Sequence, residues 1–392
     1  MKIKNQPVLD RVETRSGKSK IKSYQDLTIA TVGSHSALDI CRGAKDEGFK
    51  TLVVVEKGRD QTYVNYFKSA RPSTSSGPSG CVDEVVYVDK FKDILLPKIQ
   101  KILKNKNCIF IPHRSFEVYV SDYDAIEDKF DVPIFGNRYL LRFEERNEKP
   151  NQYDLLEKAE IRYPKIFKDP KDINTIVIVK VNEKERRFER AFFLATSHAR
   201  YKYESERLIK GGVITKIDLN AAIIEEFILG VQVNFNFFYS PINRRLELVG
   251  TDTRRQTDLE GILRLPINQQ EELFELKRIY PQYEEAGHIA VTTLESMLEP
   301  AFEIGEKFVK ITETMVPPGV IGPFGLQSVI TPGPPKKEII VFDVSPRMPG
   351  SPGIASTPYS GYLYGKNISM GRRVAMEIKK AVAIKRLSKI VT

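Results

Sequence analysis

Two apolar runs toward the carboxyl end each carry one side chain with an oxygen that can bind a cation. The first is Gly322-Pro-Phe-Gly-Leu-Gln327; the second, after a short loop, is Ile339-Ile-Val-Phe-Asp-Val-Ser-Pro-Arg347. If both runs are strands and they pair, Gln327 and Asp343 converge, and hard oxygens of this kind suit Mg²⁺ held together with nucleotide phosphates. The same two residues also fit a buried amide and a carboxylate that caps a turn. Near the amino end, Gly33-Ser-His-Ser36 follows an apolar run and opens a helical pattern. Free N–H groups and the helix dipole make such a turn receptive to phosphate. Gly33 would permit close backbone approach, Ser34 and Ser36 could cap the helix or bind the anion, and His35 could donate a hydrogen bond. An ordinary N-cap beside an exposed histidine fits as well. Pro112-His-Arg-Ser-Phe116 ends another apolar run. It brings His113, Arg114 and Ser115 to the rim where open α/β sheets hold their ligands.

Two lysines alternate out of apolar segments, Lys165 in Tyr163-Pro-Lys-Ile166 and Lys180 in Val177-Ile-Val-Lys180. On adjacent strands both could reach a nucleotide's phosphates; singly, each could face solvent. Ile223-Ile-Glu-Glu-Phe-Ile-Leu-Gly230 sets Glu225 and Glu226 beside an apolar strand. A segment of that type can offer backbone groups to an adenine edge and a carboxylate to a ribose. Neither G-x-x-x-x-G-K-[ST] nor G-x-G-x-x-G occurs, so P-loop and dinucleotide Rossmann chemistry have no support.

The elements that must position these groups follow from pattern and punctuation. Strands are expected at Leu27–Val32, Lys50–Val55, Glu84–Val88 and Cys108–Pro112, with helices at Ala37–Glu47 and 91–104. This βαβ order predicts a parallel sheet. The Ser-, Pro- and Gly-rich stretch Ser69–Gly80 reads as a mobile surface loop. Residues 136–150 read as helical after a turn at Gly136-Asn-Arg138. Strands are then expected at Arg162–Lys168, Thr175–Val181, Arg190–Ala195, Ala221–Phe227, Val233–Tyr239, Arg245–Asp252, Gly322–Thr331 and Glu338–Val344. Long helices are expected at Thr293–Thr314 and Gly371–Lys389. The fold class is α/β and α+β, in four parts: a flexible basic arm (1–25), a parallel-sheet domain (26–135), a small lysine-bearing unit (136–220) and a metal-bearing unit (221–392).

The 392 residues, 41% hydrophobic, are enough for a substantial core. The net charge of +10 favours anionic partners, but much of it sits in the terminal Lys and Arg residues and reads as solvated surface. No aromatic-and-basic repeat suggests a nucleic-acid partner. The odd count of three cysteines, Cys41, Cys81 and Cys108, argues against a disulfide framework and for a reducing interior. With no signal-peptide pattern and no run long enough to span a bilayer, the expectation is a cytoplasmic protein without a membrane partner.

The whole pattern, a parallel-sheet domain, a lysine-bearing unit, an Ile-Glu-Glu-Phe hinge and a terminal metal-bearing strand pair, resembles the ATP-grasp ligases. Thr31-Val-Gly-Ser-His-Ser36, Gly43-Ala-Lys-Asp-Glu-Gly-Phe49, Pro112-His-Arg-Ser-Phe116, Pro133-Ile-Phe-Gly-Asn-Arg138, Pro317-Pro-Gly-Val-Ile-Gly-Pro-Phe324 and Ser369-Met-Gly-Arg-Arg-Val-Ala-Met-Glu-Ile378 resemble, more narrowly, the archaeal formate-dependent AICAR ligases of purine synthesis. (AICAR is 5-aminoimidazole-4-carboxamide ribonucleotide.) The resemblance implies an ATP-dependent carbon–nitrogen ligase that formylates AICAR through formyl phosphate, with ATP and Mg²⁺ (or Mn²⁺) and a homo-oligomer, trimer or hexamer. It implies AICAR contacts at His35, Ser115 and His288, with Ser34 and Arg114 beside them. It implies ATP contacts at Lys165, Lys180, Glu225, Glu226, Phe227, Ile228 and Gln256, and metal ligands Gln327 and Asp343. Two segments depart from the family pattern. Asn182-Glu-Lys-Glu-Arg-Arg-Phe-Glu-Arg190 stands where a glycine-rich stretch is usual, and Met348-Pro-Gly-Ser-Pro-Gly353 where Gly-Gly-Gly-Thr-Asn occurs. They leave open a related ligase for another carboxylate or amine nucleotide, or a nucleotide-binding regulator without catalysis.

Overall fold

The computed structural model describes residues 26–69, 79–146, 148–181, 192–275, 285–333 and 335–392. The expected arm at 1–25, most of the expected loop at 69–80 and the segment 182–190 lie outside the described residues.

The first sheet is parallel, with order β3-β2-β1-β4, from β1 (Thr28–Val32), β2 (Lys50–Glu56), β3 (Glu84–Val88) and β4 (Cys108–Phe110). Every residue of β1 is buried. Such unbroken apolar runs are what a sheet covered on both faces requires. Helix α1 (Ala37–Asp46) crosses from β1 to β2 and stops where Gly48 turns left-handed, φ 88°. The helix expected at 91–104 is split into a 3₁₀ turn, Phe91–Leu95, and α2 (Pro97–Asn105). Pro97 has no N–H to continue the turn before it and instead begins the second helix. Helix α3 (Arg114–Val120) leaves the end of β4.

Two antiparallel sheets follow. The smaller has order β5-β8-β6-β7, from β5 (Ile166–Phe167), β6 (Val177–Lys180), β7 (Phe192–Ala195) and β8 (Ile223–Glu226). Helix α4 (His198–Lys210), absent from the expectations, covers it with Leu208. Because β8 completes this sheet, the small unit reaches past the expected boundary at 220. The larger sheet has order β11-β10-β9-β12-β13, from β9 (Val231–Ser240), β10 (Arg245–Gln256), β11 (Glu285–Ala290), β12 (Gly322–Ile330) and β13 (Ile339–Ser345). Helix α5 (Leu298–Met315) packs Phe308 against Phe324 and Phe302 against Phe237 of this sheet.

Two expected elements fail for physical reasons. Among the described residues of 136–150, the only helical element is a 3₁₀ turn, Leu141–Glu144. Their polar side chains are spent on long-range bonds that a regular helix would point away from. Asn137 donates to the carbonyls of Val316 and Gly319. Arg138 donates to Phe130 O at 2.6 Å and Thr392 O at 2.6 Å. The last helix, α6 (Met370–Ala383), ends well before Lys389 because Lys385 adopts a left-handed φ of 56°.

The carboxyl end closes on the first sheet. Ile134 and Thr392 exchange backbone hydrogen bonds of 3.0 and 2.9 Å. Helices α1 and α6 touch through glycines: a Cβ on Gly43 would lie 2.1 Å from Arg372 N, and one on Gly371 would lie 2.2 Å from Asp39 O. Buried Arg373 ties α6 to the larger sheet, donating to Glu247 at 2.6 Å and lying 3.9 Å above the Phe238 ring. Among the described residues no helix is long and apolar enough to cross a membrane. The three cysteines are buried and free.

Candidate active site

The three sheets enclose a cleft of about 1540 Å³. That exceeds the ~300–1,000 Å³ of an ordinary small-molecule site and leaves room for two ligands together. Of the residues expected at the site, Ser34, His35, Arg114, Ser115, Lys180, Glu225, Glu226, Phe227, Ile228, Gln256, His288, Gln327 and Asp343 line this cleft. Lys165 is not among its lining residues. It is exposed just before β5, with its ammonium 4.8 Å from the Phe167 ring.

Gln327 and Asp343 face each other in register across β12 and β13, beside a bulge. Gln327 Nε2 donates to Ser345 Oγ at 3.3 Å, while its buried Oε1 has no hydrogen-bond partner. Asp343 Oδ1 accepts from Arg146 at 2.6 Å and Gln152 at 3.1 Å. Burial alone would raise this carboxyl; Arg146, with Arg254 and Lys180, overcomes that and holds it at about 2. An orphaned amide oxygen beside a permanently ionised carboxylate fits a divalent cation. No group of three or more His, Cys, Asp or Glu side chains among the described residues could hold a metal. The protein's share at Gln327 and Asp343 is therefore two oxygens, and phosphate oxygens would complete the shell.

Next to this pair, Lys180 of β6 meets Glu225 of β8 at 2.5 Å. Glu225 also accepts a short hydrogen bond from the Tyr153 hydroxyl and lies 3.7 Å from Arg146 Nε. The Glu225 carboxylate is thus engaged inside the protein and does not stand open for a ribose. Burial, with Arg146, lowers the Lys180 ammonium to about 8 although Glu225 acts to raise it. Beyond β8, Phe227 and Ile228 belong to the short irregular link between β8 and β9. Phe227 N–H bonds Ile176 O at 2.9 Å.

The opposite wall is the rim of the first sheet. Gly33 is required by packing: a Cβ there would lie 2.7 Å from Val55 Cγ1 and 2.8 Å from Tyr63. Its value is in the core, not in backbone approach to a ligand. Ser36 donates to Pro349 O at 2.5 Å, so it neither caps α1 nor stays open for an anion. His35, in a left-handed turn of φ 48°, stacks on His113 with centroids 5.7 Å apart and covers Gly350. Fully buried His113 reaches Val32 O through Nε2 at 3.0 Å and accepts from Ser115 N–H through Nδ1 at 3.3 Å. That pairing assigns it the neutral tautomer with the proton on Nε2. Burial, then the Arg347 charge and His113, lower His35 to about 3; burial lowers His113 to about 4. Both rings are neutral at pH 7.

Arg114 does not stand free for an anion. It bonds Glu145 at 2.7 Å and lies 3.6 Å from Glu144 and 3.8 Å from Glu117. Arg347 holds Glu144 through both Nε, 3.1 Å, and Nη2, 2.6 Å. These carboxylates and guanidiniums form the floor between the metal pair and the histidine rim.

Sequence reading missed a polar row on the larger sheet. Asn234 and Asn236 alternate toward the cleft while Phe235 and Phe237 enter the core, and both amides donate to buried Asp252, at 3.0 and 2.6 Å. Asp252 also holds His288 Nδ1 by a short bond, and Glu285 holds Nε2 at 2.7 Å. Burial works against the charged ring, yet the two carboxylates raise His288 to about 9, so it is an imidazolium at pH 7. Ser351 Oγ lies 2.9 Å from His288 Nδ1, so Pro349, Gly350 and Ser351 line the cleft on the His288 side. Arg146 and Tyr153 were also missed. The period-two Asn-Phe-Asn-Phe run was the available signal for the Asn row; no local pattern pointed to Arg146.

Two family models match the chain, a domain of unknown function, DUF1297, over residues 200–392 and a protein of unknown function, DUF1246, over 29–167. The 5-formaminoimidazole-4-carboxamide-1-(beta)-D-ribofuranosyl 5'-monophosphate synthetase of Methanocaldococcus jannaschii is 39% identical over 369 residues, 94% of this chain and 95% of that protein. The crystal structure of an IMP biosynthesis protein PurP from Thermococcus kodakaraensis superposes with TM-score 0.65 at 28% identity, covering 93% of this chain and all of that one. An ADP complex of purK, N5-carboxyaminoimidazole ribonucleotide synthetase, shares the fold alone, with TM-score 0.53 at 13% identity over 83% and 71% of the two chains. Together with the parallel sheet, the two antiparallel sheets and the cleft between them, these likenesses show an ATP-grasp fold, and the chain belongs to the 5-formaminoimidazole-4-carboxamide ribonucleotide synthetase family.

Proposed function

We infer that this chain is an ATP-dependent carbon–nitrogen ligase that formylates the 5-amino group of AICAR with formate, releasing the formamido nucleotide, ADP and phosphate, a step of IMP biosynthesis. The observation that carries this reading is one cleft with a Gln327–Asp343 oxygen pair, a buried lysine beside it, and a neutral histidine rim across a charged floor. A formate oxygen attacks the γ-phosphorus of ATP and gives formyl phosphate. The amino nitrogen then attacks the formyl carbon and phosphate departs. Both transfers depend on alignment and on the charge around the moving group.

ATP lies along Glu226–Ile228, with Gln256 beside it and its phosphates toward Lys180. Gln327 and Asp343 hold Mg²⁺, or Mn²⁺, which neutralises phosphate charge when bound. AICAR lies against Ser34, His35, Arg114, Ser115 and His288. Neutral His35 serves as a hydrogen-bond partner, while the His288 imidazolium supplies positive charge. Residues 26–135 form the AICAR-binding domain, the lysine-bearing unit follows, and the remainder carries the metal. The enzyme works in the cytoplasm as a homo-oligomer, a trimer or hexamer, which light scattering on the purified chain tests. The experiment for the function is ADP release with ATP, Mg²⁺, formate and AICAR, each omitted in turn. Release should need all four; release indifferent to formate or AICAR refutes the reading.

A further inference from the structure

The floor of the cleft contains three carboxylates, Glu117, Glu144 and Glu145, against two guanidiniums, Arg114 and Arg347. Glu144 is held by Arg347 through two bonds, and Glu145 by Arg114 at 2.7 Å and by the Tyr123 hydroxyl at 3.2 Å. That leaves Glu117 as the carboxylate in excess. It is 1% exposed, and its Oε2 accepts from Tyr123 at 3.3 Å. Its Oε1 is buried, lies 3.5 Å from Arg347 Nε, and has no hydrogen bond. A buried carboxyl oxygen without a hydrogen-bond partner is destabilising. A structure that carries this cost at the wall of its substrate cleft has an acceptor waiting for an N–H. Glu117 is among the residues that line the cleft; it stands two residues after Ser115 on α3, and its Oε1 lies 3.5 Å from Arg347 Nε. Arg347 in turn follows Asp343 on the way out of β13. Glu117 therefore lies between the ATP side and the AICAR side, where the amino group must meet the formyl carbon.

Resting on the formyl-transfer reading, we propose that Glu117 is the catalytic base that takes the proton from the attacking amino group of the acceptor nucleotide. An amine on an imidazole ring delocalises its lone pair and is a weak nucleophile, so proton loss must accompany attack. As the N–C bond forms at the formyl carbon, the C–O bond to phosphate breaks and its electron pair leaves with phosphate. One N–H proton passes to Glu117 Oε1 and then to the departing phosphate, regenerating the carboxylate. Glu144 and Glu145 repel the Glu117 charge while Arg114 and Arg347 attract it. Burial and the Glu144 charge raise its carboxyl to about 8, a stronger base than an ordinary carboxylate and one suited to near-neutral pH.

The test uses hydroxylamine, a good nucleophile that needs no base, as an alternative acceptor for the formyl group. With ATP, Mg²⁺ and formate, Glu117→Gln should make formohydroxamate at the wild-type rate. Its kcat for AICAR formylation should fall by about 10²–10⁴-fold. The wild-type kcat should rise with pH through about 8, and E117Q should lose that rise. Glu117→Asp, which keeps a carboxylate on a shorter arm, should retain the rise at a lower rate. Parallel loss of both activities in E117Q and E117D, or full AICAR formylation in E117Q, overturns the proposal. A wild-type enzyme that makes neither product refutes the formyl-transfer reading itself, and the base with it.

Discussion

The Arg146–Asp343 ion pair joins the segment after the first domain to the metal-bearing strand, and its strength can be measured by a double-mutant cycle. The two groups are 2.6 Å apart, and Gln152 supports the same carboxylate oxygen. Against the effect of burial, Arg146, with Arg254 and Lys180, holds Asp343 at about 2 instead of its ordinary 3.8, a difference worth roughly 2 kcal/mol at ~1.36 kcal/mol per pH unit. Removing one partner also strands the other charge in the interior, for which ~3–5 kcal/mol is usual. Arg146→Met and Asp343→Asn should therefore each cost about 3 kcal/mol at pH 7, and the double variant should cost about 2 kcal/mol less than the two together. The sign with pH follows from the lowered carboxyl. The stabilisation is present above 3.8 and disappears as pH falls through about 2, so the gap between wild type and Asp343→Asn should narrow only below about pH 4. Urea denaturation of all four proteins, followed by circular dichroism, measures the cycle. A coupling below about 0.5 kcal/mol would show that the pair does no more than an exposed one, and the reasoning about this wall of the cleft would fail.

Three other outcomes are expected. Gln327→Leu removes a buried oxygen that has no partner, so stability should hold or rise. Electron paramagnetic resonance should nevertheless show Mn²⁺–nucleotide binding weakened about 10-fold or more; unchanged binding would remove Gln327 from the metal site. The Lys180 ammonium at about 8 predicts that affinity for a fluorescent ATP analogue declines as pH rises through that value, and that Lys180→Met binds weakly with no such decline. A pH-independent wild type contradicts a phosphate role for Lys180. Gly43→Ala drives a Cβ to within 2.1 Å of backbone in α6, and should cost about 3 kcal/mol in a thermal or urea melt; a melt like that of wild type would mean the helices can part without loss.

Much of this architecture was legible because its signals are local. The β1–α1–β2 unit could be read from Leu27 to Val55 since a parallel strand is apolar throughout and Gly48 stops the helix between. The Gln327–Asp343 pairing was legible because two apolar strands of similar length, joined by a short loop, have few registers open to them. What escaped depended on distant partners. Residues 136–150 carry helix-forming side chains, yet Asn137, Arg138, Arg142 and Arg146 are each claimed by groups far off in sequence or by carboxylates across the cleft. Glu225 looked like a ligand-facing carboxylate, but burial beside Lys180 and Tyr153 depends on how β8 sits against β6 and on a helix seventy residues upstream. His288 was placed at the site by resemblance alone; its charge comes from Glu285, three residues before it on β11, and from Asp252, which only the β10–β11 pairing brings to it.

The central claim, that formate is activated by ATP in this cleft and delivered to the amino group of AICAR, is tested most directly with formate labelled by ¹⁸O in both oxygens. Mass spectrometry of the products from ATP, Mg²⁺ and AICAR should find one label in the released phosphate and one in the formyl group of the nucleotide. Unlabelled phosphate, or a nucleotide of unchanged mass, would contradict it.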